Sequence, residues 1–223
     1  MATLYIVSTP IGNLGDVTLR AIETLKTVGL VVCEDTRVTG KLLKHLGIEK
    51  PMSALNDFNE EARTPNIISR LLAGENIALV SDAGTPLISD PGYKLVREAI
   101  SKGFKVESIP GPTSFVSALI VSGLPPDKFT FVGYLPKKDT KRKKLLQDLK
   151  KSREIVKSTI IAFESPYRLM KTLEDIKGVF GDVEVAVCRE LTKMHEQIKR
   201  EKVSVVLDFY KIASPKGEII IVL

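Results

Sequence analysis

The chain has 223 residues, 43% hydrophobic and 27% charged, which excludes a disordered or fibrous chain and suits one large or two small globular domains. No apolar run approaches a membrane span and no basic stretch precedes the first strand-like run, so neither a membrane helix nor a signal peptide is expected and the location expected is cytoplasmic. The net charge of +6 is lopsided: residues 1–112 carry 12 Lys+Arg against 13 Asp+Glu and residues 113–223 carry 21 against 14, so the second half invites an anionic partner, nucleic acid first, or has a lysine-rich solvated surface.

Residues 3–7 read as a buried strand. A loop with two glycines, Gly12 and Gly15, follows. Residues 17–28 read as a helix with Leu19, Ile22 and Leu25 at helical spacing and Asp16 as its cap. Residues 30–33 form a second short buried strand. Glu34-Asp35-Thr36-Arg37 stands at its end, ahead of a helix over 38–46. A cap needs only one of those four polar residues. Asn56, Asn59 and Glu60 read as ordinary loop, and residues 67–72 as part of a helix. The strand 77–80 then leads into Ser81-Asp82-Ala83-Gly84-Thr85-Pro86-Leu87-Ile88-Ser89-Asp90-Pro91-Gly92. In open α/β sheets ligands sit at such carboxyl ends of strands. Asp82, next to Gly84, is placed to meet a ligand's hydroxyl or ammonium group. Asp90 and Pro91 suit the cap and first turn of a helix over 93–100. A strand over 104–109 ends at Pro110-Gly111-Pro112-Thr113-Ser114, where Pro112 suits the first turn of an apolar helix over 115–121.

Gly123-Leu124-Pro125-Pro126 reads as a junction. The strand 129–136 runs into a basic stretch, Lys137-Lys138-Asp139-Thr140-Lys141-Arg142-Lys143-Lys144, heading a helix whose apolar face is Leu145, Leu146 and Leu149. The strand 158–163 ends at Glu164-Ser165-Pro166-Tyr167-Arg168, and a helix covers 169–176. The strand 184–188 ends at Arg189-Glu190-Leu191-Thr192. Residues 203–209 suit helix or strand, and 217–223 close as a strand. Alternating elements predict a mostly parallel sheet in the first half, and the strand-rich second half predicts a mixed one. Polar groups thus recur where apolar strands end. G-x-G-x-x-G and Walker A sequences are absent, as is a Ser-His-Asp arrangement. Cys33 and Cys188 sit in apolar runs and read as buried free thiols, and His45 and His195 stand far apart, so no metal is expected. Positioning a cofactor against a substrate is the chemistry this pattern suits.

The blocks 4–16, Glu34–Arg37, Ser81–Gly92, 109–114, 133–136, 163–168 and Arg189–Thr192 run in order through nearly the whole chain. Together they resemble the tetrapyrrole-methylase superfamily, and within it the small-subunit ribosomal RNA methyltransferase I family, which methylates a cytidine ribose 2′-hydroxyl. The resemblance implies a two-domain α/β class III S-adenosylmethionine-dependent methyltransferase, divided here as 1–113 and 114–223. The cofactor would lie in the cleft between the domains. It also implies a homodimer acting on ribosomal RNA or the small ribosomal subunit. By matching position, Pro10, Asp82, Ala83, Gly84, Thr85, Thr113 and Ser114 would bind S-adenosylmethionine, with Phe163, Leu191, Pro215, Lys216, Gly217 and Glu218 from the second domain. Physical candidates for the carboxylate that orients or deprotonates the hydroxyl are Glu34, Asp35 and Glu164. Candidate substrate contacts are Asn13, Arg37, Lys141, Arg142, Lys144, Arg168 and Arg189. Two alternatives remain: methylation of a tetrapyrrole or of a modified histidine, as in diphthine synthase, and a nonenzymatic RNA-binding protein on the same fold.

Overall fold

A computed structural model describes residues 2–212 and 215–223. The chain forms two compact units, Met1–Thr113 and Ser114–Leu223.

In the first unit, β1 (Thr3–Val7), β2 (Leu30–Cys33), β3 (Met52–Ala54), β4 (Ile77–Leu79) and β5 (Lys105–Ile109) form one sheet in the order β3-β2-β4-β1-β5, every pair parallel. The helices α1 (Leu19–Thr27), α2 (Thr36–His45), α3 (Glu60–Leu72) and α4 (Tyr93–Ser101) are the crossovers. One core joins Val7, Val31 and Ala78 to Leu25 of α1 and Leu43 of α2. The opposite core joins Leu4, Val32 and Leu79 to Ile67 of α3 and Leu95 of α4. The sheet is covered on both faces, which is why its central strands read as continuous apolar runs. Because α1 and α2 lie on one face and α3 and α4 on the other, the chain leaves β1 and β2 toward one side and β4, between them, toward the other. Such divergence opens a crevice at the carboxyl ends of the strands.

Several local details differ from the sequence expectation. Asp16 ends a 3-10 turn capped by Asn13, and the hydroxyl of Thr18, not Asp16, accepts the Ala21 N–H at the head of α1. Helix α4 starts after Gly92, so Asp90 is not its cap and Pro91 lies outside its first turn. The orphan N–H groups of Lys94 and Leu95 instead donate to the buried Glu60 carboxylate, at 2.7 and 3.2 Å. Glu60, read as loop, is therefore a cap supplied from α3 across the core. The short strand β3 escaped the reading because its three residues carry no apolar run.

The second unit contains α5 (Ser114–Ser122), β6 (Phe129–Tyr134), α6 (Asp139–Ile155), β7 (Thr159–Glu164), α7 (Leu169–Phe180), β8 (Glu184–Arg189), β9 (Gln197–Lys202), α8 (Val203–Ile212) and β10 (Ile219–Val222). The sheet order is β6-β7-β10-β8-β9, with β6 parallel to β7 and the other pairs antiparallel, so the sheet is mixed. Helix α5 begins at Ser114, two residues beyond Pro112. Residues 203–212 are helical, with Val203, Val206, Leu207 and Tyr210 buried at helical spacing. The strand β9, QIKREK, is half-buried to exposed and at the sheet edge, and its charge hid it.

Candidate functional site

In the first unit, three loops are stitched together where β4, β1 and β5 end. Thr9 and Gly84 exchange backbone hydrogen bonds, Thr9 N to Gly84 O at 2.9 Å and Gly84 N to Thr9 O at 3.0 Å. The Thr85 hydroxyl lies 3.1 Å from that of Ser8, 2.7 Å from that of Thr113, and donates to Pro112 O at 3.1 Å. Gly84 has a φ of +79°, and a Cβ there would stand 3.2 Å from Ile11 Cγ2 and 3.7 Å from Pro112 O. A side chain would be strained by that backbone conformation and would press on the Ile11 side chain. Pro10, Asp82, Ala83, Gly84, Thr85 and Thr113 are thus brought to one end of the sheet, on a scaffold that leaves little freedom.

Carboxylates gather beside them. Asp82 Oδ1 accepts the Asp35 N–H at 3.0 Å, and burial pushes the Asp82 carboxyl up. Glu34 is raised by burial and then by repulsion from Asp82, Asp90, Asp57 and Asp35. Asp90 is pushed up to about 6, by burial first, with repulsion from Asp82 and Asp57 and an opposing hydrogen bond from Ser81. Sequence reasoning missed Asp90 because a carboxylate three residues before a helix, followed by a proline, mimics a cap. The signal available was Gly92, which can end the loop without one. Asp35 behaves oppositely. It caps α2, accepting the Arg37 N–H at 2.8 Å, and its ion pair with Arg37 and that N–H hold it down at about 2. That makes Asp35 a cap and a poor base. Among the described residues no His/Cys/Asp/Glu group has the arrangement to hold a metal ion.

On the α1/α2 side of Asp82 the crevice holds a cavity of about 290 Å³. Thr9, Pro10 and Leu14 line it from the β1 loop, Val38, Thr39, Lys41 and Leu42 from α2, and Ser81 and Asp82 from the end of β4. Asn13 caps the 3-10 turn that carries Leu14. Arg37 is 87% exposed one turn before Lys41.

In the second unit the register brings Glu164, Arg189 and Ile219 side by side, since Ile219 pairs with both of the others. Phe163, Leu191 and the segment Pro215–Glu218 therefore meet at one end of this sheet. Glu190 accepts the Glu218 N–H at 2.8 Å and an ammonium hydrogen bond from Lys193 at 3.0 Å. Gly217 has a φ of +88°, which favours glycine, and a Cβ there would displace the Glu190 side chain from its hydrogen bonds. Phe163 lies against the rings of Phe131 and Tyr134, with centroids at 5.0 and 5.3 Å. Arg189 donates to Lys216 O at 3.2 Å and His195 O at 3.0 Å, an orienting role.

Three second-unit candidates are corrected. Glu164 is 2% exposed and is consumed by Arg168 at 2.6 Å, the Ser165 N–H at 2.6 Å and the Thr172 hydroxyl at 2.5 Å. It anchors the turn into α7 and is not a base. Arg168 also donates to Leu135 O at 2.9 Å, so it orients a loop and does not reach for phosphate. Arg142 is 1% exposed. It shares the inward stripe of Leu146 and Leu149 at i, i+4 and i+7, and its guanidinium binds Asp175 at 2.7 Å and Asp139 at 3.0 Å. Lys137, Lys138, Lys141, Lys143 and Lys144 remain exposed, Lys144 paired with Asp148. Both thiols are buried and free, and burial raises Cys33 and pushes Cys188 up to about 12, so neither is a nucleophile.

Comparison with known proteins places this geometry. Residues 3–206 match the family model described as Tetrapyrrole (Corrin/Porphyrin) Methylases. The chain is 46% identical, over 100% of its length and 98% of the relative's, to a Thermotoga maritima protein named Ribosomal RNA small subunit methyltransferase I. A protein of that name from Synechocystis is 47% identical over 100% of this chain and 79% of its own. A diphthine synthase crystal structure superposes with a TM-score of 0.76 at 16% identity, covering 100% of this chain and 90% of that one. A uroporphyrin-III-C-methyltransferase from Thermus thermophilus gives 0.63 at 19%, covering 100% and 94%. At such identities the structural likenesses speak for the fold alone. The sequence likenesses reach further: this chain is a methyltransferase of the tetrapyrrole-methylase fold and belongs to the ribosomal RNA small subunit methyltransferase I family.

Proposed function

We propose that the chain transfers a methyl group from S-adenosylmethionine to the ribose 2′-hydroxyl of a cytidine in small-subunit ribosomal RNA, as a homodimer in the cytoplasm. The observation that carries the cofactor half is the Asp82 loop. A half-buried carboxylate raised by burial stands at the end of β4, beside backbone held close by Gly84 and the Ser8–Thr85–Thr113 hydroxyls. The donor set suits a ligand with an ammonium group, ribose hydroxyls and a cationic centre. A cation beside Asp82 would relieve the desolvation that raises it. Pro10, Ala83, Gly84, Thr85 and Thr113 would supply backbone and hydroxyl contacts. Ser114, Phe163, Leu191 and Pro215–Glu218 are the second unit's contribution to the same reading.

The cofactor supplies a methyl group on a positively charged sulfur, so the chain need not generate a leaving group. Its tasks are to align the hydroxyl in line with that methyl and to take the hydroxyl proton. A carboxylate near 4 is a weak base at neutral pH. Glu34 and Asp90, each raised by burial and then by neighbouring carboxylates, fit the second task better than Asp35, held down by Arg37, or Glu164, taken up by its donors. The RNA half of the reading rests on the relatives' name and on the exposed lysines heading α6. The test is methyl transfer by the purified protein to small ribosomal subunits and to free rRNA, with the product mapped by resistance of the methylated ribose linkage to alkali. Methylation confined to a base, or none on either substrate, would refute it.

A further inference from the structure

The carried-over cofactor residues and the lining of the 290 Å³ cavity overlap only in part. Ala83, Gly84, Thr85 and Thr113 belong to the β4-β1-β5 side, and none of them lines the cavity. The cavity opens instead toward α2, and shares only Pro10 and Asp82 with that set. Two ligands that react with each other need such a shared wall.

Helix α2 sets out two parallel stripes. Val38 and Leu42, at i and i+4, line the cavity together with Leu14 of the β1 loop. Arg37 and Lys41, also at i and i+4, place two cations beside that apolar stripe, Lys41 at the cavity itself and Arg37 largely in solvent. Val38 and Leu14 are 39% and 44% exposed although apolar, so their open surface is not spent on the core. An apolar slot beside cations matches the two chemistries of a nucleotide, a flat base and a phosphate. The volume of about 290 Å³, just below the roughly 300–1,000 Å³ of most ligand sites, suits one nucleoside and not a stacked pair.

We infer that this cavity receives the single unstacked nucleoside of the RNA that is methylated, its base held between Leu14 and the Val38–Leu42 stripe and its phosphate by Lys41. The inference rests on the functional reading above. RNA recognised by sequence is read mostly where bases are splayed out of the stack, so a pocket for one nucleoside would make the protein select a loop or bulge. Arg37 reinforces the phosphate contact from one turn earlier while bound to Asp35.

The test uses methyl transfer from S-adenosylmethionine to small ribosomal subunits, with cofactor affinity measured separately by calorimetry. Val38→Trp and, from the β1 loop, Leu14→Trp fill the cavity from partly exposed positions, and each is checked for a parent-like melting temperature. Each is expected to lower kcat/KM for the subunit at least about tenfold, with the cofactor Kd within about twofold of the parent's. Lys41→Gln should raise KM several-fold and leave kcat unchanged. An active parent with parent-like kcat/KM in both tryptophan variants overturns the pocket alone. Loss of cofactor binding in folded tryptophan variants also overturns it, assigning the cavity to the cofactor. A parent that methylates no RNA overturns the functional reading, and the pocket falls with it.

Discussion

Replacing Asp90 by Asn should make the protein more stable at neutral pH and less active. Burial and the neighbouring Asp82 and Asp57 raise Asp90 from its ordinary value of 3.8 to about 6. An acid raised on folding binds more protons folded than unfolded between those values. Its contribution to stability is therefore fully present below about pH 4 and is lost as pH rises through about 6. The difference between 3.8 and about 6 is worth up to about 3 kcal/mol. Part of the carboxylate is in water, which reduces the expected gain to about 1–2 kcal/mol at pH 7.5. Asn keeps the shape without the charge, and it also relieves the repulsion on Glu34. The assay is the thermal midpoint of parent and variant from pH 4 to 8. The variant should melt several degrees higher at pH 7.5, with the gap closing toward pH 4. A gap that does not change with pH, or a variant less stable at pH 7.5, refutes the reasoning. Turnover on RNA should fall with cofactor affinity kept, the signature of a carboxylate retained for chemistry at the expense of stability.

Asp82→Asn, which keeps an acceptor for the Asp35 N–H, should weaken S-adenosylmethionine binding at least about tenfold; parent-like affinity by calorimetry would remove Asp82 from the cofactor set. Asp175→Ala leaves the buried Arg142 guanidinium with Asp139 as its remaining carboxylate and should cost about 2–4 kcal/mol in urea unfolding, whereas a loss under about 1 kcal/mol would mean the pair is solvated. Replacing Lys137, Lys138 and Lys141 by Gln should flatten the dependence of log RNA affinity on log salt by about 2–3, at about 0.7–0.9 per phosphate contact, and an unchanged slope would make the run a solvated surface. Activity should survive exhaustive chelation; rescue of lost activity only by a divalent ion, with the RNA fold verified, would contradict that.

The parallel sheet was legible because β1, β2 and β4 are buried on both faces, so TLYIV, LVVC and IAL carry the strand signal by themselves. The strand β9 was not, since QIKREK sits at an edge where lysine and arginine are tolerated and no apolar alternation survives. Arg142 shows a different failure. A run of six cations in eight residues reads as surface, and the eye groups it by charge. Helical spacing ties Arg142 to Leu146 and Leu149, and that spacing was available in the sequence. Its partners were not, because Asp175 lies 33 residues away and becomes a neighbour only when α7 packs on α6. Glu60 failed the same way, as a buried carboxylate whose donors, Lys94 and Leu95, lie more than thirty residues on; the donors to Glu164 are its sequence neighbours Ser165, Arg168 and Thr172, but its burial comes only with the fold. The pattern located the loops but not the donors that occupy Glu164 and Asp35 within them.

Backbone strain separates the two kinds of carboxylate. Among the described residues the non-glycine positions with positive φ are Leu87, Ser89, Glu190 and Thr192. All four lie in loops after β4 and β8, at the sheet end of their own unit where the candidate residues gather. A left-handed Leu costs about 1–3 kcal/mol unless its surroundings hold it. The loop bearing Leu87 and Ser89 also bears Asp82 and Asp90, raised by burial, so strain and desolvation accumulate within one short segment. Glu60, at the head of α3, and Glu164, at the end of β7, sit on unstrained backbone with donors on their carboxylates, as stabilising carboxylates do. Leu87 packs against the core of Leu4, Leu79 and Leu95, which offsets its left-handed backbone. A loop that served only to join β4 to α4 would still gain stability from Asn at position 90, so the buried charge of Asp90 is what such a join does not require.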